Sequence, residues 1–301
     1  MAASQYRVGL VNRVRLMRPY SMLWFVVVPA VTMALWLRGP AVSPQALTSL
    51  VLSFVLADAG LTTLNDILDV STDRASVESQ RHLRPLAVGS VSIKAAYVQV
   101  VLLEACALIA ALIVSPIFLA LLGMGVIYGV CYSARPVYAG GRPLVSQAFW
   151  LLVWFAMYLG VYIGVGGDFV AGLPYVVATV LFMGVGETLA KDLRDIDNDS
   201  LTGKRTTPVV LGVETAAWAS AGTLALGSIV YLAAAASAPR GVPTLIGTIA
   251  VVLGLWCGRV LLLARSLRDG YVKADARALH MGCIRVFLTV NLLFIAVLGA
   301  N

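Results

Sequence analysis

About nine apolar runs, each close to the length of a bilayer crossing, divide this chain. They lie near 20–37, 46–65, 95–114, 117–134, 146–166, 171–190, 215–236, 243–264 and 284–300, bounded by Pro, Gly or charge. Once water is gone, a run of about 20 apolar residues can satisfy its backbone polar groups only as a helix or in a closed barrel. The runs are too long for barrel strands, so the pattern predicts an all-α integral membrane protein of about nine transmembrane helices. Composition agrees: 60% of residues are hydrophobic and 12% charged, about half the charged share of a soluble domain. The start, through Arg18, is polar and basic, and no small-residue cleavage site follows the first apolar run. That run is expected to stay as the first helix.

Basic residues orient the helices. With the N-terminus and every second loop on one side, that side receives all 22 Lys and Arg except Arg38 and Arg240. Such a bias places the N-terminus and the polar loops at about 66–94 and 191–214 in the cytoplasm, the host membrane being the cell membrane if the source is bacterial. The net charge of +7 is thereby absorbed by topology. No basic stripe with interleaved aromatics remains to bind nucleic acid. Cys106, Cys131, Cys257 and Cys283 form no C-x-x-C pair, which argues against a disulfide framework or a zinc site. His82 and His280 are isolated in sequence and read as surface or interfacial residues. Gly125/Gly129, Gly160/Gly164 and Gly254/Gly258 have the small-xxx-small spacing that lets membrane helices approach, and are assigned to packing.

The acids are few, and six of them repeat one pattern. Asp66, Asp69 and Asp73 follow Asn65 at the end of the second run; Asp192, Asp195 and Asp199 follow Lys191 at the end of the sixth. Each set reads D-x-x-D-x-x-x-D, which on a helix falls on one face. Carboxylates at this density repel unless a cation neutralises them, and hard oxygen ligands favour Mg²⁺ held jointly with substrate phosphates. Two Mg²⁺ ions, one per stripe, could clamp a prenyl diphosphate and ease its departure, with Arg74, Arg81, Arg84, Arg135, Lys191, Lys204 and Arg205 as cationic helpers. Tyr128, Tyr132, Phe149, Trp150, Trp154 and Tyr158 offer faces to a carbocation or simply pack the core. Asp58, Glu104 and Glu187 lie inside runs, where an acid normally faces a cavity or a partner. Asp58 and Glu187 are expected to line the substrate cavity. Glu104 is either a cavity residue or a structural acid paired with an Arg or a hydroxyl. Asp197 is out of phase with its stripe and expected to face solvent.

Asn65-Asp66-x-x-Asp69-x-x-x-Asp73 with Arg84-Pro85-Leu86-Ala87-x-Gly89-x-x-Ser92, and Lys191-Asp192-x-x-Asp195-x-x-x-Asp199 with Gly203-Lys204-Arg205-Thr206-Thr207-Pro208, resemble the two signatures of UbiA-type intramembrane prenyltransferases. Arg18-Pro19-Tyr20 and Tyr132-Ser133 resemble the family as well. The resemblance covers nearly the whole chain. It implies nine helices around a central cavity under cytoplasmic cap loops, and Mg²⁺-dependent transfer of a prenyl group from a polyprenyl diphosphate to an aromatic or other lipophilic acceptor. It assigns Asn65, Asp66, Asp69 and Asp73 to one Mg²⁺ and Asp192, Asp195 and Asp199 to the other, the last Asp of each set acting through water or by holding a basic residue. It makes Lys191, Arg84 and Tyr132 contacts to the diphosphate. Family members often carry a Lys after the Tyr-Ser element; here Arg135 and Arg142 stand in that stretch, and an Arg differs from a Lys in reach and hydration.

The organisation expected is one domain over 1–301, built as two similar four-helix halves, about 20–138 and 146–265, plus a last helix at 284–300. A terpene cyclase of the same superfamily is the nearest rival reading, since the same motifs would ionise a diphosphate whose own double bond then quenches the cation. A transporter fits less well, because the acids gather at one interface and not at the bilayer midplane.

Overall fold

The computed structural model describes residues 2–38, 43–75, 84–237 and 243–299. Arg81, His82 and Arg240 lie outside the described residues. Among these residues there is no strand, and nine helices are long and apolar enough to cross a membrane. After α1 (Ala2–Leu16) they are α2 (Pro19–Leu37), α3 (Pro44–Leu68), α5 (Ile93–Val114), α6 (Pro116–Ser133), α7 (Val145–Val165), α8 (Phe169–Leu201), α10 (Val213–Ser237), α11 (Pro243–Asp269) and α12 (Lys273–Gly299). Of two short helices, α4 (Val70–Ala75) carries the last Asp of the first acidic segment and α9 (Thr207–Leu211) follows the second. The protein is a multi-pass membrane protein.

Polar punctuation sets the helix ends. Ser92 accepts from the Ala95 amide at 3.2 Å and starts α5. Ser115 closes α5 and starts α6, accepting from the Phe118 amide at 3.0 Å with Pro116 in the first turn. Asp168 caps α8 through the Val170 and Ala171 amides. Gly203, at φ 71, turns the chain just after α8, in a backbone region that costs glycine nothing.

Two of the expected spans change length. The sixth was expected to stop near 190, but α8 runs on to Leu201, so the second acidic segment is helix and not loop. Its middle, Val180–Glu187, is π-helical, an irregularity that recurs at functional sites. The last helix was expected from 284 and starts at Lys273. A polar and basic opening (Lys273, Asp275, Arg277, His280) hides helix from any reading based on hydropathy.

The chain forms two compact units, 1–27 with 44–138, and 28–43 with 139–301; the division falls inside α2. In the first unit α3 packs chiefly on α5, and α6 on both. At one end of this unit Leu16, Ile67, Leu86, Val91 and Ala96 form a buried apolar cluster. It fastens the Arg84–Ser92 segment against the end of α3. In the second unit α10 lies against both α8 and α11, and α12 against α8, α11 and the end of α2. Its centre is aromatic. Trp36, Tyr175, Tyr231 and Phe294 pack with ring centroids 5.4–6.4 Å apart. The two tyrosine hydroxyls are satisfied in place: that of Tyr175 donates to Asn291, and Tyr231 and Thr179 share a hydroxyl contact of 2.8 Å, as burial in an apolar medium requires.

Glycines allow close approach, though mostly not the paired ones. A Cβ at Gly227 would lie 2.9 Å from the Phe182 amide nitrogen, and Gly60, Gly172, Gly186 and Gly282 are also filled by neighbours. Gly129 does pack, against Leu61. Gly125, Gly254 and Gly258 face open space, which corrects their assignment to packing within the chain.

Candidate active site

The first stripe is continuous helix across the junction of α3 and α4. The Asp69 amide donates to the Asn65 carbonyl at 2.9 Å and the Asp73 amide to the Asp69 carbonyl at 2.8 Å. The three carboxylates therefore hold the one-face spacing. Asp66 is 4% exposed and Asp73 8%, so neither could stay ionised without partners. Arg18 donates to Asp66 Oδ1. Arg84 donates to Asp73 Oδ2 at 2.6 Å and lies 3.7 Å from Asp66 Oδ1. Asn65 is held by Ser133, whose hydroxyl donates to Oδ1 at 2.8 Å. The Asn65 amide group lies 3.5 Å from Asp69 Oδ2.

Local sequence aims both arginines. Arg18 precedes Pro19, which disfavours helix at Arg18. Its backbone sits at φ 48, ψ 56, breaking α1 from α2. Arg84 opens the segment pinned by Leu86 and Val91. Burial acts against the Arg84 charge, but Asp73, Asp66 and Asp69 outweigh it and hold the guanidinium above its ordinary pKa.

The second stripe lies on the last turns of α8, with Asp192 and Asp199 buried and Asp195 half-buried. Asp192 Oδ2 accepts from Gln147 Nε2 at 2.9 Å. Gln147 Oε1 in turn accepts from the Thr207 hydroxyl at 2.8 Å, and Thr207 accepts from the Leu144 amide at 3.0 Å. Asp199 accepts from the Thr206 hydroxyl at 3.1 Å. The Arg205 amide donates to the Gly141 carbonyl at 3.0 Å. The Gly203–Pro208 tail thus holds the stripe directly through Thr206, the start of α7 through Thr207, and the turn before α7 through Arg205. Asp195 is gripped by both prongs of Arg194, at 2.7 and 2.5 Å.

A buried chain of polar groups extends from this stripe. Arg194 Nη1 is 3.0 Å from His280 Nδ1, and His280 Nε2 is 2.9 Å from Glu187 Oε1. Arg194 can only donate, which leaves the ring proton on Nε2, facing Glu187. That contact is close but bent, so Glu187 Oε1 has no well-aligned donor. His280, read as a surface or interfacial residue, is 5% exposed and correctly described as a buried partner of Glu187.

The remaining candidates stand as follows. Lys191 and Tyr132 are half-buried and have polar or ring partners. Arg205 is exposed. Arg135 is exposed and sits 5.9 Å over the Tyr138 ring. Asp58 is half-buried in α3. Glu104 is not a paired structural acid: both its carboxylate oxygens are buried with no hydrogen-bond partner among the described residues, packed where Gly60 lacks a Cβ. Asp197 is exposed, 3.8 Å from Lys273. Tyr158 is a core residue, donating to the Phe169 carbonyl, and Trp154 packs on Phe287 at 5.7 Å. Tyr158 lies eleven residues along α7 from Gln147, about 16 Å away, so it belongs to the other end of the helix.

The donor set suits Mg²⁺. Among the described residues no three Asp, Glu, His or Cys side chains converge tightly enough to cage an ion. What each stripe offers is oxygen alone, with buried Asp192 facing a neutral Gln147. Mg²⁺ commonly takes one or two carboxylates and completes its shell with water and substrate phosphate. Residues missed by sequence reasoning are Arg18 as a partner of Asp66, and Gln147, Ser133, Thr206, Thr207 and His280. Arg18, Ser133, Thr206 and Thr207 lay inside the motifs; Gln147 and His280 gave no signal.

The chain matches the UbiA prenyltransferase family over residues 26–282 and belongs to it. It is 28% identical over 187 residues to the digeranylgeranylglyceryl phosphate synthase of Natronomonas pharaonis, a match covering 62% of this chain and 65% of that protein. The fold is that of a UbiA homologue from Archaeoglobus fulgidus solved with GPP and Mg²⁺ (TM-score 0.68, 22% identity, 95% of this chain and 100% of that one). It also matches a solved structure of a digeranylgeranylglyceryl phosphate synthase (TM-score 0.70, 14% identity, 97% and 99%).

Proposed function

We propose that this protein transfers a prenyl group, with Mg²⁺, from a polyprenyl diphosphate to a lipophilic acceptor, and that the acceptor is the hydroxyl of a prenylated glycerol phosphate. The observation that carries the reading is the pair of acid stripes, each buried, helical and braced by its own motif tail, in a chain of this family. The acceptor class rests on the named relative from Natronomonas pharaonis. The basic-residue bias supports a cytoplasmic position for the N-terminus and for the segments bearing the stripes.

In this reading Asn65, Asp66 and Asp69, and Asp192 with Asp195 and Asp199, would hold the ions. Bound Mg²⁺ supplies the charge that stabilises the departing diphosphate. Arg84 and Lys191 add cationic contacts to it, and Asp73 holds Arg84 in place. The bond from allylic C1 to the diphosphate oxygen breaks, and the acceptor oxygen bonds to C1 as its proton passes to a base. Asp58 and Glu187 are the carboxylates offered for that proton. The low-polarity interior keeps water from the cation.

The test is pyrophosphate release by the purified protein given geranylgeranyl diphosphate, with and without a prenylglyceryl phosphate, in Mg²⁺ or EDTA. Mg²⁺-dependent release only with the acceptor, and an ether product by mass spectrometry, is expected. Asp66→Asn and Asp192→Asn should each lower turnover at least about 100-fold, in the range of losing one preorganised electrostatic group, while remaining folded. A cyclic product without acceptor would transfer the assignment to a terpene cyclase.

A further inference from the structure

A cavity of about 730 Å³ opens between α11 and α12. Its lining holds four cations, Arg259, Lys273, Arg277 and Arg285, and no acid. The cations have a register: Lys273, Arg277 and Arg285 stand at i, i+4 and i+12 along one stripe of α12, and Arg259 faces them from α11. Arg259 and Arg285 take part in no ion pair among the described residues. Asp269 pairs with Arg268, Asp275 accepts from Ser266 at 2.5 Å, and Asp197 lies 3.8 Å from Lys273.

The depth of two of these arginines is the informative part. Both helices are 27 residues long, about 40 Å against a hydrocarbon core of about 30 Å. Arg259 lies ten residues before the end of α11, and Arg285 twelve after the start of α12, so each is about 15–18 Å along its helix. Positive-inside topology accounts for the side on which these cations gather; it does not account for two that lie this far in from the helix ends, where an arginine is costly unless an anion or water reaches it. The surface beside them is apolar. On α11, Leu255 and Leu262, one turn either side of Arg259, are 74% and 71% exposed, and Val251 is 61% exposed. Trp256, 5% exposed, lines the cavity with its ring seated where Gly282 has no Cβ, and its indole N–H has no hydrogen-bond partner. A membrane-facing surface that pairs arginines with exposed aliphatic side chains matches an amphiphile bearing a phosphate.

We infer that the groove between α11 and α12 binds an anionic membrane phospholipid, its phosphate among Arg259, Arg277 and Arg285 and its acyl chain along Leu255 and Val251. The groove shares α12 with the contact that α12 makes to α8, the helix bearing the second stripe. One face of that helix presents His280 to Glu187, and another presents the basic stripe to the lipid.

Native mass spectrometry of the purified protein tests this, titrating phosphatidylglycerol, phosphatidylcholine or inorganic phosphate. Phosphatidylglycerol should be retained well above phosphatidylcholine. The doubly substituted Arg259→Gln, Arg285→Gln protein should bind it about 30-fold more weakly, two cationic contacts to the phosphate having been removed. Arg259→Lys with Arg285→Lys should stay within about threefold of the parent, showing that charge and not folding is at issue. Equal retention of phosphatidylcholine, or unchanged binding by the Gln protein, would overturn the inference. So would inorganic phosphate that displaces the lipid at equal concentration, which would make this a free-phosphate site.

Discussion

Replacing His280 with Leu keeps most of the ring's volume and removes only its polar contacts. Glu187 and His280 have side chains 5% and 7% exposed, so water does not restore what is lost. A net hydrogen bond to a charged group contributes about 1.5–3 kcal/mol. The bent geometry of the Glu187 contact favours the lower half of that range, so about 2 kcal/mol is expected. For a chain of this size each kcal/mol moves the melting temperature by about 2–4 °C. His280→Leu should therefore lower the melting temperature of the detergent-solubilised protein by about 4–8 °C. The cause is separable by a double-mutant cycle. In a Glu187→Gln background no carboxylate is stranded, and His280→Leu should cost at least about 1 kcal/mol less than in the parent. A shift below 1 °C, or equal costs in the two backgrounds, would refute the partnership.

Gly227→Val should destabilise by about 2–3 kcal/mol, because the obstruction is the Phe182 backbone, which cannot turn aside; Gly254→Ala, facing open space, should change stability by no more than about 0.5 kcal/mol in the same melts. Gln147→Leu leaves Asp192 and Thr207 without their shared partner, so isothermal titration with Mg²⁺ should show altered affinity, and an unchanged curve would separate Gln147 from the ion. Arg84 has its pKa raised in the fold, so its stabilisation is fully present below its ordinary unfolded value and is lost only as pH climbs through the still higher folded value. The stability gap between parent and Arg84→Gln should accordingly be flat from about pH 6 to pH 10, and a gap that closes in that window would contradict the assignment.

The sequence alone determined the class of fold, because the bilayer offers a long apolar run so few ways to satisfy its backbone. It also singled out the two acidic segments as the candidate site, since carboxylates repeated at helical spacing in an acid-poor chain need a cation. The motif tails were visible as patterns, but their work was not: that Thr206 and Thr207 clasp Asp199 and Gln147 depends on which segments fold back on one another. Helix length at the polar ends escaped hydropathy, as the continuation of α8 to Leu201 and the early start of α12 show, because charge there is tolerated outside the hydrocarbon. Tertiary structure decided the pairings. Nothing near Asp66 in sequence points to Arg18, nothing near Glu187 points to His280, and Glu104 fits only because Gly60, on another helix, leaves it room. Periodicity reports which face of a helix a residue occupies; only packing decides what that face meets.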